Sequence, residues 1–367
     1  MKLLILTCNT GQGHNSTAGS ISEKFTENGY ECTAADSLAF LSKKMSRFIS
    51  SWHTRIYRHA PVLFDQGYEY AEKHPSVFSD ESMAYNFFGH GVNKLNRYIQ
   101  EGGYTDVICV HAFSAIMLTE MLRRYPQNIK TGFVATDYTC SPSVGDSRMD
   151  LYFIPHASLK QEFTACGVPE EKLVASGIPV KSVFFEHKNK AAAKRNFGID
   201  PDARHILMMC GSMGCGPIET LALQLTKILP REAVLTVVCG TNERLKKKLE
   251  KAEKTNMRVL GYTDKIPQLM DSADLYLTKP GGLSVTEAAA KRLPMFFVDA
   301  VSGCEAYNKS FFLSHGMAAA SDSFDRLAQD CVSLLLDKER LMAQSKAMER
   351  EFCHNPADCI LNTFLKH

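Results

Sequence analysis

The sequence of 367 residues lacks several features that mark common classes of protein. None of its 12 cysteines forms a Cys-x-x-Cys pair, so nothing indicates a zinc ribbon or a thioredoxin-like redox motif. No apolar run reaches the roughly 18 residues that a membrane-spanning helix requires. There is no Gly-Lys-Ser or Gly-Lys-Thr phosphate loop either. A formal net charge of +2 is too close to neutral to suggest a partner that is a nucleic acid.

What is present fits a globular protein of two domains. Hydrophobic residues make up 45% of the chain and charged residues 22%, and the length exceeds that of an ordinary single α/β domain. Cysteines such as Cys109 and Cys239 lie inside apolar runs, so we expect buried thiols in a reducing, cytoplasmic compartment. The short apolar stretch that ends at Cys8 is expected to be a first β-strand and not a signal peptide.

Strand, glycine-loop and helix patterns alternate along the chain. An apolar run over 2–8 leads through Gly-x-Gly into a helical pattern, and the same order recurs from residue 205 onward. This alternation predicts an α/β fold with parallel sheets. We expect an N-terminal Rossmann-like lobe over 1–185, a C-terminal one over 186–350, and a tail over 351–367 that can pack back on the N-terminal lobe.

Residues 38–97 interrupt the alternation and suggest a helical insertion. They contain no clear strand, and aromatic residues such as Phe40 and Trp52 alternate with basic ones such as Lys43 and Arg47. Basic and aromatic side chains suit the surface of an anionic membrane. The same residues also suit an ordinary helical subdomain with an aromatic core, and the sequence leaves both interpretations open.

Two glycine loops and one histidine follow predicted strands. Gly11-Gln12-Gly13 and Gly211–Gly216 each precede a helical pattern, where free backbone N–H groups and the helix dipole can hold phosphate. Either loop could also be a tight turn without a ligand. His14 stands in the first turn of its helix, where an imidazole can take a proton from an alcohol or can simply be an exposed or capping residue.

Two further polar segments follow strands in the second half. In Lys279-Pro280-Gly281-Gly282 and the helical pattern after it, Glu287 could accept the hydroxyls of a ribose, or could form a capping box with Ser284. The segment Ser302–Asn308 follows the strand predicted over 295–298. It could bind sugar hydroxyls or be an ordinary loop.

Together, these motifs resemble the diacylglycerol glycosyltransferases. This group contains the monogalactosyldiacylglycerol synthases and the processive diacylglycerol glucosyltransferases, and is related to the peptidoglycan N-acetylglucosaminyl transferase. Their order and spacing agree over nearly the whole chain. The resemblance implies the glycosyltransferase B-type fold, in which two Rossmann-like lobes face a cleft. It also implies an inverting enzyme that moves a hexose from a UDP-sugar to a membrane lipid, with diacylglycerol as the expected acceptor.

The resemblance also implies roles for individual residues. His14 corresponds to the general base that deprotonates the acceptor hydroxyl, and His111 and Asp137 are candidates on the acceptor side. No convincing Asp-x-Asp metal motif is present, so we expect no metal and no cofactor beyond the UDP-sugar donor. The implied nucleotide-sugar residues are Gly13, Gly211, Ser212, Gly214, Tyr262, Thr263, Gly282, Leu283, Ser284, Glu287, Glu305 and Asn308.

The expected partners are a UDP-sugar, a lipid acceptor and the cytoplasmic face of a membrane, contacted peripherally through residues 38–97. The chain departs from the usual family residues at Cys304, where members usually carry glutamine, and in the loop after Asp137, where many carry a histidine and a tryptophan. Three alternatives stay open. They are transfer of N-acetylglucosamine to a polyprenyl-linked intermediate, epimerisation of a UDP-sugar at C2, and binding of a nucleotide-sugar without catalysis.

Overall fold

The computed structural model describes residues 1–9, 12–42, 91–141, 143–252, 254–298 and 303–366. Within these ranges, twelve β-strands form two parallel sheets of six strands each. The strands are β1 (Lys2–Thr7), β2 (Glu31–Asp36), β3 (Asp106–Cys109), β4 (Lys130–Val134), β5 (Leu151–Ile154), β6 (Leu173–Ala175), β7 (Arg204–Met209), β8 (Ala233–Val238), β9 (Met257–Leu260), β10 (Leu275–Thr278), β11 (Met295–Phe297) and β12 (Ala318–Ala320).

Helices connect these strands, as parallel pairing requires. They are α1 (Gln12–Glu27), α2 (Ser37–Leu41), α3 (Val92–Gly102), α4 (Ala112–Arg124), α5 (Lys160–Ala165), α6 (Lys190–Asn196), α7 (Ile218–Ile228), α8 (Glu243–Glu250), α9 (Ile266–Ser272), α10 (Gly282–Ala290), α11 (Cys304–Ser314), α12 (Phe324–Leu336), α13 (Lys338–Glu351) and α14 (Pro356–Lys366). Short 3₁₀ turns cover Ala157–Leu159, Glu170–Lys172 and Ser182–Phe185. No helix in the described part of the chain is long and apolar enough to cross a bilayer.

The chain divides into two compact units. The first comprises Met1–Lys181, Val301–Tyr307 and Asn355–His367, and the second comprises Ser182–Ala300 and Asn308–His354. The sheet of the first unit has the strand order β2-β1-β3-β4-β5-β6, and that of the second has β12-β11-β10-β7-β8-β9. Both are parallel sheets covered by helices, so the predicted α/β fold with two Rossmann-like halves is confirmed.

Strand β1 is buried on both faces, because helices pack on each side of the sheet. Side chains alternate along a strand, so Leu4 and Leu6 enter one core while Leu3 and Ile5 enter the other. Helix α14 helps to close this second core. Its Phe364 is 1% exposed.

Each sheet has a point at which the strand order reverses, and this point positions the candidate site. In the first unit the chain leaves β1 for β2 on one side and later adds β3 on the other. In the second unit it leaves β7 for β8 and later adds β10 on the opposite side. Ligands of open α/β sheets bind where the strand ends diverge at such a point.

Most strands predicted from apolar runs are present, with bounds shifted by one or two residues. Helix α6 lies at the start of the predicted C-terminal lobe, before the apolar run that begins at residue 205. Helix α14 and the three-residue edge strands β6 and β12 were not predicted. Most of the predicted insertion over 38–97 lies outside the described residues, and only its ends fall in α2 and α3.

Candidate active site

His14 lies at the strand-order reversal of the first sheet. It occupies the first turn of α1, directly after β1, and its ring is partly buried. Its Nδ1 lies 2.9 Å from the carbonyl oxygen of Val110, which follows the neighbouring strand β3. A second contact, 3.3 Å long, joins Nδ1 to the hydroxyl oxygen of Thr136 after β4. Two residues that follow the neighbouring strands β3 and β4 therefore hold the His14 ring in place.

These contacts fix the tautomer of the imidazole. A carbonyl oxygen can only accept a hydrogen bond. The Nδ1 of His14 therefore carries a proton and donates a hydrogen bond to the carbonyl of Val110. In this tautomer Nε2 is the atom that has a lone pair. The ring is therefore oriented and protonated as a general base needs to be, because the basic nitrogen is opposite the anchored one.

The two acceptor-side candidates lie at the same edge of the sheet. His111 is the N-cap of α4, and its Nδ1 accepts the backbone N–H of Phe113 at 3.1 Å. The His111 and His14 rings meet edge to face, with their centroids 4.6 Å apart. Asp137 lies in the loop after β4, one residue beyond Thr136. The structure thus brings His111 directly against the candidate base.

In the second unit, the loop from Gly211 to Gly216 follows β7 and has backbone geometry that needs glycine. Gly211, Gly214 and Gly216 have φ values of +72°, +57° and +100°, a region that other residues rarely adopt. The loop is held from one side. Its Ser212 carbonyl accepts the N–H of Thr241 at 2.9 Å, and its Gly214 carbonyl accepts the side-chain amide of Asn242 at 3.0 Å.

This arrangement leaves amide donors on the other side of the loop. The Ser212 carbonyl and the Met213 N–H belong to one peptide plane and point in opposite directions. The N–H groups of Ser212 and Met213 have no hydrogen-bond acceptor within the described residues. Adjacent backbone donors of this kind suit a phosphate oxygen.

Helix α10 presents a second set of donors beside this loop, because β10 is the hydrogen-bonded neighbour of β7. The hydroxyl of Thr278 donates to the carbonyl of Met209 at 2.7 Å and ties the two strand ends together. The N-cap of α10 is Gly281, which has no side chain to cap the helix. The first-turn amides of Gly282, Leu283 and Ser284 are therefore available to an anion.

The capping-box interpretation of Ser284 and Glu287 is wrong. The helix begins at Gly282, so Ser284 lies within its first turn and Glu287 in its second. A capping box needs the serine just before the helix and the acid in the first turn. Instead, the Ser284 hydroxyl lies 2.8 Å from the hydroxyl of Tyr276, whose burial raises the pKa of that phenol. Glu287 is partly buried one helical turn further on.

Lys279 was not among the predicted site residues, yet it lies across the glycine loop. A Cβ placed on Gly211 would stand 3.1 Å from Cε and 3.9 Å from Nζ of Lys279. Its side chain thus lies over the start of the glycine loop. The residue was visible in the sequence as the first of Lys279-Pro280-Gly281-Gly282, but its direction could not be inferred without the pairing of β7 with β10.

The remaining predicted residues are spread over α1, the segment after β9 and helix α11. Gly13 precedes His14 in α1. Tyr262 and Thr263 follow β9, two strands away from β7, and the Tyr262 side chain is 72% exposed. Asn308 in α11 is fully buried, and its side-chain amide donates to the carbonyl of Pro280 at 3.0 Å. Glu305 is buried one turn earlier in the same helix.

Comparisons with known proteins find relatives for both halves of the chain. Residues 14–180 match the family model of monogalactosyldiacylglycerol (MGDG) synthase, and residues 205–357 match the glycosyltransferase family 28 C-terminal domain. The first half of the chain thus matches the monogalactosyldiacylglycerol synthases and the second half matches glycosyltransferase family 28. This chain is a UDP-sugar-dependent glycosyltransferase. The match over 14–180 starts at the candidate base itself.

Curated relatives and solved structures extend this result. A processive diacylglycerol beta-glucosyltransferase of Staphylococcus carnosus is 28% identical over 95% of this chain and 88% of its own length. The structure of Acinetobacter baumannii MurG superimposes with a TM-score of 0.64 at 12% identity, covering 100% of both chains. The UDP-GlcNAc 2-epimerase of Neisseria meningitidis gives a TM-score of 0.64 at 13% identity, again over 100% of both chains. At these identities the structural matches show the fold alone.

No group of His, Cys, Asp and Glu among the described residues could hold a metal ion. The positive groups beside the glycine loop are the backbone amides of that loop, the first-turn amides of α10 and the ammonium of Lys279. Such a set can stabilise a diphosphate that leaves with negative charge.

Proposed function

We propose that this chain transfers a hexose from a UDP-sugar to the free hydroxyl of diacylglycerol, with inversion at the anomeric carbon. The acceptor is suggested by the curated relatives, which are diacylglycerol beta-glucosyltransferases. The observation that carries the catalytic part is the bond from Nδ1 of His14 to the carbonyl of Val110. In the neutral ring this bond leaves the lone pair on Nε2, the atom that is proposed to take the proton.

The reaction is a single displacement. The acceptor oxygen forms a bond to the anomeric carbon while the bond from that carbon to the diphosphate breaks, and UDP leaves with the electron pair. Nε2 of His14 takes the proton of the acceptor hydroxyl. A positioned general base of this kind contributes roughly 10²–10⁴-fold to the rate.

The leaving diphosphate is assigned to the second unit. We propose that the N–H groups of Ser212 and Met213, the first turn of α10 and the ammonium of Lys279 surround it. Preorganised donors at the position where charge develops are often the largest single contribution to catalysis. Glu287 is assigned to the hydroxyls of the ribose.

Further residues are assigned around the nucleotide and the sugar. Tyr262 and Thr263 are placed against the uracil, and the large exposed area of Tyr262 leaves its ring accessible for stacking. Glu305 and Asn308 are placed near the hexose. The bond from Asn308 to Pro280 positions this helix against the loop that carries Lys279.

The proposal includes peripheral attachment to the cytoplasmic face of a membrane through residues 38–97. Its support is the sequence, which interleaves aromatic and basic residues there. Each basic residue near an anionic surface contributes on the order of 1 kcal/mol to binding. Sedimentation with vesicles of anionic lipids at low salt measures this attachment, and an unbound chain contradicts it.

The experiment that tests the proposal is UDP release from UDP-glucose, UDP-galactose and UDP-N-acetylglucosamine, with and without diacylglycerol in mixed micelles. We expect release with one donor to depend on diacylglycerol, with a glycolipid as product. Release only with a polyprenyl-linked acceptor would assign the chain to that transfer instead. Conversion of UDP-N-acetylglucosamine without any acceptor would show an epimerase, and UDP binding without turnover would show a binding protein.

A further inference from the structure

The second unit has a cavity at the edge of the sheet opposite its glycine loops. Arg204 is the first residue of β7, Asp274 directly precedes β10 and Pro294 directly precedes β11, so the cavity lies at the amino ends of these strands. The loops that follow β7 and β10 leave the carboxyl ends of the same strands. This cavity, of about 270 Å³, is therefore separate from the candidate donor site.

One face of helix α13 forms a wall of the cavity. Its lining residues are spaced by three or four positions, which is the spacing of neighbours on one side of a helix. They are Lys338, Leu341, Met342, Ser345 and Lys346. The charged ends of this face are exposed, Leu341 is buried between them, and Met342 is 47% exposed. The wall thus combines an apolar floor with two ammonium groups.

The charges around the cavity are strongly unequal. The cationic lining residues are Lys190, Arg204, Lys338 and Lys346, and Asp274 is the sole acidic one. Asp274 is already paired, since its two oxygens lie 3.0 Å from Nζ of Lys190 and 2.8 Å from Nζ of Lys194. Burial alone would raise the pKa of Asp274, but the two lysines outweigh it and hold the pKa below its usual value.

Three cations therefore remain without a carboxylate partner. Within the described residues, no acidic side chain forms an ion pair with Arg204, Lys338 or Lys346. The nearest acid in sequence, Asp337, accepts the backbone N–H of Arg340 at 3.0 Å as the N-cap of α13. Guanidinium and ammonium groups around one cavity are the usual arrangement for binding a phosphate.

We propose that this basic cavity, lined by Arg204, Lys338 and Lys346, binds a phosphate monoester, with the phosphate at the three cations and its carbon substituent against Leu341 and Met342. The same chemistry is offered by a free phosphorylated metabolite and by the headgroup of a phosphatidic acid. The site is distinct from the donor site and stands whether or not the proposed acceptor is correct.

The test measures binding by the full chain and needs no turnover. Inorganic phosphate and sn-glycerol 3-phosphate are titrated calorimetrically, and vesicles of phosphatidylcholine with or without phosphatidic acid are sedimented with the protein. The key variant is the double substitution Lys338→Glu and Lys346→Glu. Lys247→Glu with Lys251→Glu is the matched control, because it makes the same change of charge on exposed residues of the same unit. Arg204→Gln is a second variant of the cavity itself.

We expect the double variant and Arg204→Gln each to weaken binding roughly tenfold or more, as expected for loss of a charge-assisted hydrogen bond. The control pair should bind like the natural chain. Loss seen with the soluble phosphates assigns a free metabolite, and loss seen only with phosphatidic acid vesicles assigns a lipid headgroup. The proposal is overturned if the natural chain binds none of these probes, or if the cavity variants and the control pair bind them equally.

Discussion

The side chain of Lys279 crosses Gly211, so that a Cβ at position 211 would lie 3.1 Å from its Cε. The residue that follows β10 thereby places its charge over the loop that follows β7. This contact brings the side chain that follows β10 against the loop that follows β7, and it exists because these strands are hydrogen-bonded neighbours.

Replacing Lys279 with Met should therefore weaken both UDP binding and turnover. A charge-assisted hydrogen bond contributes about 1.5–3 kcal/mol, so we expect a loss in kcat/KM of roughly 10–150-fold. Lys279→Arg keeps the charge and should recover part of the loss. Steady-state kinetics with the preferred UDP-sugar and calorimetry with UDP measure the two effects. Equal UDP affinity in the Met and natural chains would remove Lys279 from the diphosphate site.

Replacing His14 with Ala should lower kcat by roughly 10²–10⁴-fold, the contribution of a general base. UDP affinity should stay nearly unchanged, because the diphosphate is assigned to the other unit. His156→Ala is a matched control, since His156 also follows a strand of the same sheet. Turnover is measured as UDP release, and a His14→Ala enzyme that turns over normally would contradict the proposed role.

The proposed contact of Glu287 with the ribose can be tested by comparing UDP with its 2′-deoxy analogue. The natural chain should bind UDP more tightly than 2′-deoxy-UDP, because a carboxylate accepts hydrogen bonds from the ribose hydroxyls. In Glu287→Gln this preference should fall roughly tenfold, the equivalent of one charge-assisted hydrogen bond. Competition of both nucleotides against the donor measures it. An unchanged preference would mean that Glu287 does not contact the 2′ hydroxyl.

The buried His205 predicts how stability depends on pH. Burial lowers its pKa from 6.5 to about 4, and Nε2 lies 2.8 Å from the hydroxyl of Thr236. Below pH 6.5 the unfolded chain takes up a proton that the folded chain excludes, so stability should fall as pH drops from 6.5 to 4. The full loss is about 3 kcal/mol.

The slope of the free energy of unfolding against pH can assign this dependence to His205. In His205→Gln the free energy of unfolding should vary less over that window, whatever the starting stability. His354→Gln, which changes an exposed histidine in the same unit, should keep the natural slope. Urea denaturation at several pH values, with hydrogen exchange in β7 and β8, gives the measurement. Identical slopes in the His205 variant and the natural chain would refute the assignment.

Helix α14 should be essential to the stability of the first unit. Phe364 stacks on Phe153 with centroids 5.8 Å apart and lies so close to Gly132 that a Cβ there would stand 2.8 Å from its ring. We expect Phe364→Ala to lower the free energy of unfolding by about 3–5 kcal/mol. The adjacent Leu365 is 47% exposed, so Leu365→Ala is the control with little effect. Chemical denaturation compares them, and equal losses would contradict this packing.

Much of the fold could be predicted from local sequence. Buried parallel strands are continuous apolar runs, which is why the strands over 2–8 and 295–298 were predicted to within one residue of Lys2–Thr7 and Met295–Phe297. Strand β12 consists of three alanines, a sequence that favours helix, and it is a strand because it pairs with β11. Helix α14 was missed because its apolar face is recognisable only together with the core that it covers.

The site was predicted less completely than the fold. His14 and the glycine loops could be recognised from the sequence because each follows a predicted strand and lies where a helix begins. The bond from His14 to Val110 and the contact of Lys279 with Gly211 depend on which strands are neighbours, and strand order is not encoded locally. The prediction of a capping box at Ser284 was wrong for a related reason. The helix begins three residues earlier than the serine suggested, after an N-cap glycine that has no side chain to cap it.

The place of α14 also constrains how the polypeptide is made. The last helix belongs to the first unit, while Ser182–Ala300 and Asn308–His354 form the second. At about 5–20 residues per second, a ribosome needs roughly ten to forty seconds to travel from the end of β6 to α14. During that interval the apolar surface around Phe25 and Phe153 emerges without its cover. Nascent chains of this protein should therefore need a chaperone, or a slow-folding first unit, until α14 has been synthesised.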